Sequence, residues 1–272
     1  MKDKAAQLGT IALIGGGKMG EAIVVGLVKR AELDPAQVVV ADPNEDRRAY
    51  LGATYGVPCV AEGAEVPHPR TVVLAVKPQV LREVCGPLVA SPTFRPVRVI
   101  SIAAGIDTAT LRSLFGEAAV IRVMPNAPLM AGAGMSAVCV GPGTPRGEGE
   151  LVRDLFSLMG EAVLLDEGLM NAATAVSGSG PAYFALFTEA LARAARHRGL
   201  ASADALLLAT QTLKGAARYL ELTGVAPGRL REAVTSPGGT TQAALEAFAA
   251  GGLFDLVDDA VAAADMRAKE LA

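Results

Sequence analysis

Ile11-Ala-Leu-Ile-Gly15-Gly-Gly17-Lys-Met-Gly20 decides how the rest of the chain is read. Ile11 to Ile14 is a short apolar run of the kind that forms a buried parallel strand. Gly15, Gly17 and Gly20 follow on the G-x-G-x-x-G spacing, and Glu21 to Arg30 has the pattern of a helix. Each glycine has a mechanical reason: a tight turn, room for a pyrophosphate near the backbone, and close helix–strand packing. The helix start adds free N–H groups and a positive dipole end for phosphate. In a chain with 30 glycines the spacing alone is weak. Its place after a strand and before a helix favours a dinucleotide site over a structural turn, with Lys18 and Met19 as further loop contacts.

Outward from this loop, strands and helices alternate. Strands are expected at Val38–Ala41, Thr71–Val76, Val97–Ile102, Ala119–Val123 and Ala162–Leu165, with Met135–Val140 as an edge strand. Helices are expected at Glu45–Tyr55, Pro78–Val89, Ala109–Phe115 and Gly147–Met159. The alternation predicts an α/β fold, a Rossmann-type doubly wound parallel sheet over residues 1–165. After Leu165 the strands stop. Leu169–Arg198 is helical with a kink at Ser177-Gly-Ser-Gly-Pro181, and Ser202 is an expected N-cap for a helix to Leu222 that Gly224 ends. Helices at Thr241–Ala250 and Phe254–Leu271 complete an all-α domain over residues 166–272. These Ala-rich helices carry little charge and much apolar surface, so they are expected to pack against another subunit.

Composition narrows the function. Half of the residues are hydrophobic, 19% are charged, Trp is absent and the net charge is −3. Lys and Arg are scattered, which argues against a nucleic-acid surface. Cys59, Cys85 and Cys139 are far apart and outside any metal-binding spacing, as three reduced thiols of a cytoplasmic protein would be. No metal site is expected. Met1–Thr10 lacks the apolar stretch of a signal peptide, and no run reaches membrane-spanning length.

Further candidates fall at the carboxyl ends of strands, the ligand-binding edge of a doubly wound sheet. Asp42 follows the second strand, about 20 residues beyond the glycines, where an acidic residue meets an adenosine ribose; Asp42-Pro43-Asn44 alone reads equally as a turn, and the glycine loop puts the ribose reading ahead. Ala75-Val76-Lys77-Pro78 ends the third strand, Ser101-Ile-Ala103-Ala104-Gly105 the fourth and Val123-Met-Pro-Asn126 the fifth. Small residues there admit a flat nicotinamide, although Pro and Gly also simply stop strands. Thr235-Ser236-Pro-Gly238-Gly239-Thr240-Thr241 precedes a helix and reads as a second anion-binding turn, sized for a carboxylate. The plainer alternative is a Ser/Thr helix cap.

These stretches, with Ser177-Gly-Ser-Gly-Pro-Ala-Tyr183, make the chain resemble pyrroline-5-carboxylate reductase along nearly its whole length. The resemblance implies reduction of 1-pyrroline-5-carboxylate to L-proline by NADP(H) or NAD(H). It implies a helical domain that dimerises, in many members assembling further into decamers, with substrate at the dimer interface. It places the substrate carboxylate at Ser236 to Thr241, Thr241 near the ring nitrogen and Glu167 near the site. A cyclic imine is basic enough to take its proton from water, so hydride transfer to it needs orientation more than an acid. That accords with two histidines, His68 and His197, in unpromising settings. The chain departs from the family at Val225-Ala226, where a polar pair is common, and at Glu62, where many members carry Asn. A β-hydroxyacid dehydrogenase, with Lys214 as its lysine, is the nearest rival, and a non-catalytic nucleotide-binding regulator is another. Asp42 favours NADH, whereas Arg47 and Arg48 in the next helix are placed to swing toward a 2′-phosphate.

Overall fold

The computed structural model describes residues 6–271, so the first half of the Met1–Thr10 stretch lies outside them. Eight strands, β1 (Ile11–Ile14), β2 (Val38–Ala41), β3 (Cys59–Val60), β4 (Thr71–Leu74), β5 (Arg98–Ser101), β6 (Ala119–Pro125), β7 (Gly134–Val140) and β8 (Gly160–Leu164), form one sheet. Their order is β3-β2-β1-β4-β5-β6-β7-β8. β1, β4 and β5 are buried at every position, as parallel strands covered on both faces must be. One core packs the sheet against α1 (Lys18–Val25), α2 (Glu45–Tyr55) and α5 (Arg146–Phe156). The other packs it against α3 (Pro78–Ala90) and α4 (Thr108–Phe115).

The doubly wound sheet agrees with the sequence pattern, with two corrections. β6 and β7 are antiparallel, and β7 is an interior strand, parallel to β8 on its other side. Residues 126–133 are too short a link for a parallel crossover, which needs a dozen residues or more. A short 3₁₀ turn at Ala127–Ala131 therefore reverses the chain. The two-residue β3 was not legible, because pairing at Val40↔Cys59 and Ala41↔Val60 leaves no periodicity to read.

The helical part comprises α6 (Met170–Ala173), α7 (Gly180–Arg196), α8 (Ser202–Thr223), α9 (Pro227–Ala233), α10 (Thr240–Ala250) and α11 (Leu253–Glu270). The expected kink is a π turn at Thr174–Gly178, just ahead of Pro181. Pro181 is the second residue of α7, where a missing N–H is harmless. Ser202 is the first residue of α8 and Ala201 is its cap, correcting the expected Ser202 cap. Gly224, at φ +65°, closes that helix with its N–H on the Leu220 carbonyl at 2.9 Å. The short α9 was not expected.

The chain divides into two compact units, Met1–Ser179 with Ala264–Ala272, and Gly180–Ala263. The expected boundary at 165/166 falls at the end of β8. Contacts keep residues 166–179 with the sheet because Met170 is fully buried against Ala137 and Cys139.

Candidate functional site

Strand order reverses between β1 and β4, and a crevice opens at the carboxyl ends of such neighbours. The glycine loop sits there. Gly15 has φ +102°, and a Cβ on it would lie 2.6 Å from the Ala75 carbonyl oxygen. A Cβ on Gly20 would run into the Gly15 carbonyl, so α1 packs on the loop as the spacing predicted. Gly17 is the N-cap of α1, without a side-chain cap and with nothing within 4 Å of where its Cβ would be. Uncapped N–H groups facing open space make a cradle that fits a pyrophosphate. Lys18 is exposed beside it, and Met19 packs against the core.

Asp42 is drawn directly onto this loop. Its Oδ2 accepts from the Gly16 N–H at 2.7 Å and its Oδ1 from the Asn44 N–H at 2.9 Å. Asp42 is thus a turn residue whose carboxylate also holds the loop. Pro43 is exposed, and Asn44 caps α2 by accepting from the Arg47 N–H at 3.0 Å. The arginines do not extend into solvent. Arg47 donates to the Gly16 carbonyl through Nε and pairs with Glu21, while Arg48 donates to the Asp42 and Pro43 carbonyls at 2.8 and 2.9 Å.

The other strand ends line the same edge. The Ala75 N–H bonds to Ile14 O at 2.8 Å and the Ile102 N–H to Leu74 O at 3.0 Å, which aligns both segments beside the loop. Val76 is half-buried, Lys77 is the exposed N-cap of α3, and Pro78 is that helix's first residue. Ala103 is buried, with its N–H on Ser101 Oγ at 3.3 Å; Ala104 is half-buried, and Gly105 is buried at φ +74°. Asn126 is engaged at both ends of its carboxamide. Its Nδ2 donates to Ser177 O at 3.0 Å, and its Oδ1 accepts from the Met135 N–H at 2.9 Å. It braces the edge through these bonds.

Glu167 is anchored in the same unit. It pairs with the buried Arg122 and accepts from the Thr108 N–H at 3.2 Å. Burial first, and then the Glu167 carboxylate, pushes the neighbouring Cys139 thiol up to about 12. All three cysteines are free, and among the described residues no group of His, Cys, Asp and Glu could hold a metal ion.

The second turn lies in the helical unit. Gly238 has φ +70°, and the Gly239 N–H bonds to Ser236 O at 3.0 Å. A Cβ on Gly239 would push Ser236 Oγ aside, while the positive φ of Gly238 is what calls for glycine in the curl. Gly239 is the N-cap of α10 and brings no side-chain cap to the first turn, where Thr240 is exposed and Thr241 half-buried. The helix-cap alternative is thereby weakened: the hydroxyls surround the helix start without capping it. Lys214 is exposed on α8, as a solvated helix residue would be.

Sequence reasoning missed three participants. Glu21 is nearly buried in the first turn of α1, where it accepts from Tyr50 at 2.9 Å and Tyr55 at 2.7 Å. Burial pushes its carboxyl up, but the hydrogen bonds from Arg47, Tyr55 and Tyr50 outweigh it and hold the group below its ordinary value. Gln242 accepts from the Gly238 N–H at 2.8 Å and donates to Glu246 at 2.8 Å, bracing the second turn. Arg122 inside a strand was a signal, since a charge at a sheet position calls for a buried partner.

Residues 167–271 match the family model described as pyrroline-5-carboxylate reductase dimerisation, and residues 10–105 match NADP oxidoreductase coenzyme F420-dependent. A pyrroline-5-carboxylate reductase of Synechocystis sp. is 40% identical over 262 residues, covering 96% of this chain and 97% of the relative. The solved pyrroline-5-carboxylate reductase of Coxiella burnetii superposes with a TM-score of 0.89 at 35% identity, covering 97% of this chain and 99% of that one. The Plasmodium falciparum pyrroline carboxylate reductase, solved with NADP bound, gives 0.82 at 26% identity over 97% and 98%.

Proposed function

The chain belongs to the pyrroline-5-carboxylate reductase family, and from that premise we propose that it reduces 1-pyrroline-5-carboxylate to L-proline as an NAD(P)H-dependent oxidoreductase. The observation that carries this reading is 40% identity to such a reductase over 96% of this chain, which itself carries both glycine turns. When bound, the nicotinamide cofactor supplies the hydride. The chain's own part is to bind and orient. Gly15, Gly17, Lys18, Met19 and Gly20 hold the dinucleotide's phosphates at the start of α1, and Asp42, Pro43 and Asn44 border its ribose. Ala75 to Pro78, Ala103, Ala104, Gly105 and Asn126 form the edge that receives the nicotinamide.

In the helical region, residues 166–272 in our reading, Ser236, Gly238, Gly239, Thr240 and Thr241 bind the substrate carboxylate. The Thr241 hydroxyl orients the ring nitrogen, and Glu167 contributes from its ion pair with Arg122. An imine already protonated by water presents an electrophilic carbon, so no strong acid is needed. The protein is a homo-oligomer, at least a dimer, and larger assemblies such as decamers fit its apolar helices. Three free thiols support a cytoplasmic setting. Among the described residues no helix is long and apolar enough to cross a membrane. The test is loss of NAD(P)H absorbance on adding 1-pyrroline-5-carboxylate. Oxidation of a 3-hydroxyacid, with no turnover of the imine, overturns the reading.

A further inference from the structure

Glu21 occupies the first turn of α1, with its backbone N–H on the Gly17 carbonyl at 2.8 Å and its side chain only 10% exposed. A carboxylate suits the positive end of a helix dipole. Here, though, it adds negative charge to the end offered to phosphate, where burial limits screening by salt. One cation answers it. Arg47 pairs with Glu21 through Nη2 and donates to the Gly16 carbonyl through Nε; Nη2 also lies 3.4 Å from the Gly17 carbonyl. Its guanidinium stacks over Tyr50 at 5.0 Å, and Tyr50 and Tyr55 both donate to the second Glu21 oxygen. The backbone of Arg47 is fixed by the Asn44 cap, next to Asp42, which grips the Gly16 N–H.

We propose that Arg47 is a positioning residue for the dinucleotide: paired with Glu21, it fixes the glycine loop and cancels a carboxylate that would otherwise stand inside the phosphate-binding turn. This rests on reading the loop as the cofactor site. It differs from the expectation that Arg47 swings out to read a 2′-phosphate, because its donors are directed at the loop and at Glu21. A charge-balancing role treats both cofactors alike, since both carry the pyrophosphate.

The experiment measures Kd for NADH and NADPH by nucleotide fluorescence, with the wild type titrated first, then Arg47→Met, Glu21→Gln and the double variant. Arg47→Met is expected to weaken both cofactors about 10- to 100-fold, as loss of one partner of a buried pair does, with their Kd ratio kept within about twofold. Glu21→Gln removes the carboxylate that Arg47 balances, so it should shift both Kd values together and by less than Arg47→Met does, and adding it to Arg47→Met should restore most of that variant's loss. A loss confined to NADPH makes Arg47 a phosphate reader and overturns the proposal. A double variant no tighter than Arg47→Met, or an Arg47→Met that binds normally, overturns it as well. If Arg47→Met does not fold, Arg47→Lys keeps the charge and loses the fork: both cofactors should weaken equally and by less than tenfold, and a change in their ratio overturns the proposal. A wild type that binds neither nucleotide sinks the cofactor reading itself, a result distinct from all of these.

Discussion

The two glycine turns use the same local chemistry in opposite settings. The turn at Gly15 to Gly20 is held by its own unit on one side: Asp42, Arg47, Glu21 and the Ala75 carbonyl all touch it or the helix it starts. The turn at Ser236 to Thr241 is exposed or half-buried throughout, and Gln242 is its bracing side chain. Its unit also shows water large apolar side chains, including Phe184, Leu186, Leu207 and Phe254, each more than 60% exposed. One unit with so much exposed apolar surface is built to be covered. Under the proposed function, cofactor binding belongs to a single chain, whereas substrate binding depends on assembly.

The largest effect is expected where the first turn is packed most tightly. Gly20→Ala drives a methyl into the Gly15 carbonyl, and it should weaken both cofactors by about 100-fold or more in a fluorescence titration. Normal cofactor binding by that variant would show a loop looser than its packing. Thr241→Ala should lower kcat/KM for the imine by about 10 to 10³-fold, the range for loss of a positioned donor, with cofactor Kd unchanged. An unaltered kcat/KM would reduce Thr241 to a helix residue and leave the second turn without its orienting group.

Asp42→Ser sharpens the first turn alone. Wild-type enzyme is expected to use both cofactors, with NADH at least equal to NADPH. A 2′-phosphate near the Asp42 carboxylate meets a like charge, so the serine variant should raise the NADPH/NADH ratio of kcat/KM several-fold. An unmoved ratio would make the carboxylate's bonds to Gly16 and Asn44 its whole role.

The smallest effect is on acid stability. The Asp107 carboxyl is held below its ordinary value, chiefly by the Thr110 N–H it caps at 2.7 Å, and Arg122 lowers it further. A folded pKa below the unfolded one gives stability that is complete above the unfolded value. That stability is lost as pH falls through the folded one. Asp107→Ala should therefore cost about 0.5–2 kcal/mol at pH 7 and progressively less below pH 4, read by urea unfolding at both pH values. Equal losses at both would remove the carboxylate from the account.

The sheet and the two turns were legible because their signals are local: apolar runs, glycine spacing and a hydroxyl-rich stretch before a helix. The antiparallel β7 escaped because strand direction depends on connection length, and the 3₁₀ turn after Asn126 left no periodic pattern. Glu21 escaped for a different reason. A charge at the first turn of a helix is ordinary in sequence, and only the arrival of Arg47, Tyr50 and Tyr55 from α2 shows it to be a buried cluster. Asn126 was expected as a site residue from its place at a strand end, yet the bonds that occupy its carboxamide come from residues 135 and 177, farther along the chain.

The central contrast is tested most directly by separating assembly from cofactor binding. Leu186→Glu/Leu207→Glu places charges on the exposed apolar helices, and light scattering, NADPH titration and imine turnover are then measured on one sample. The account predicts a monomer that binds NADPH within about twofold of wild type and has lost at least 10³-fold in imine turnover. A monomer with wild-type turnover would contradict it.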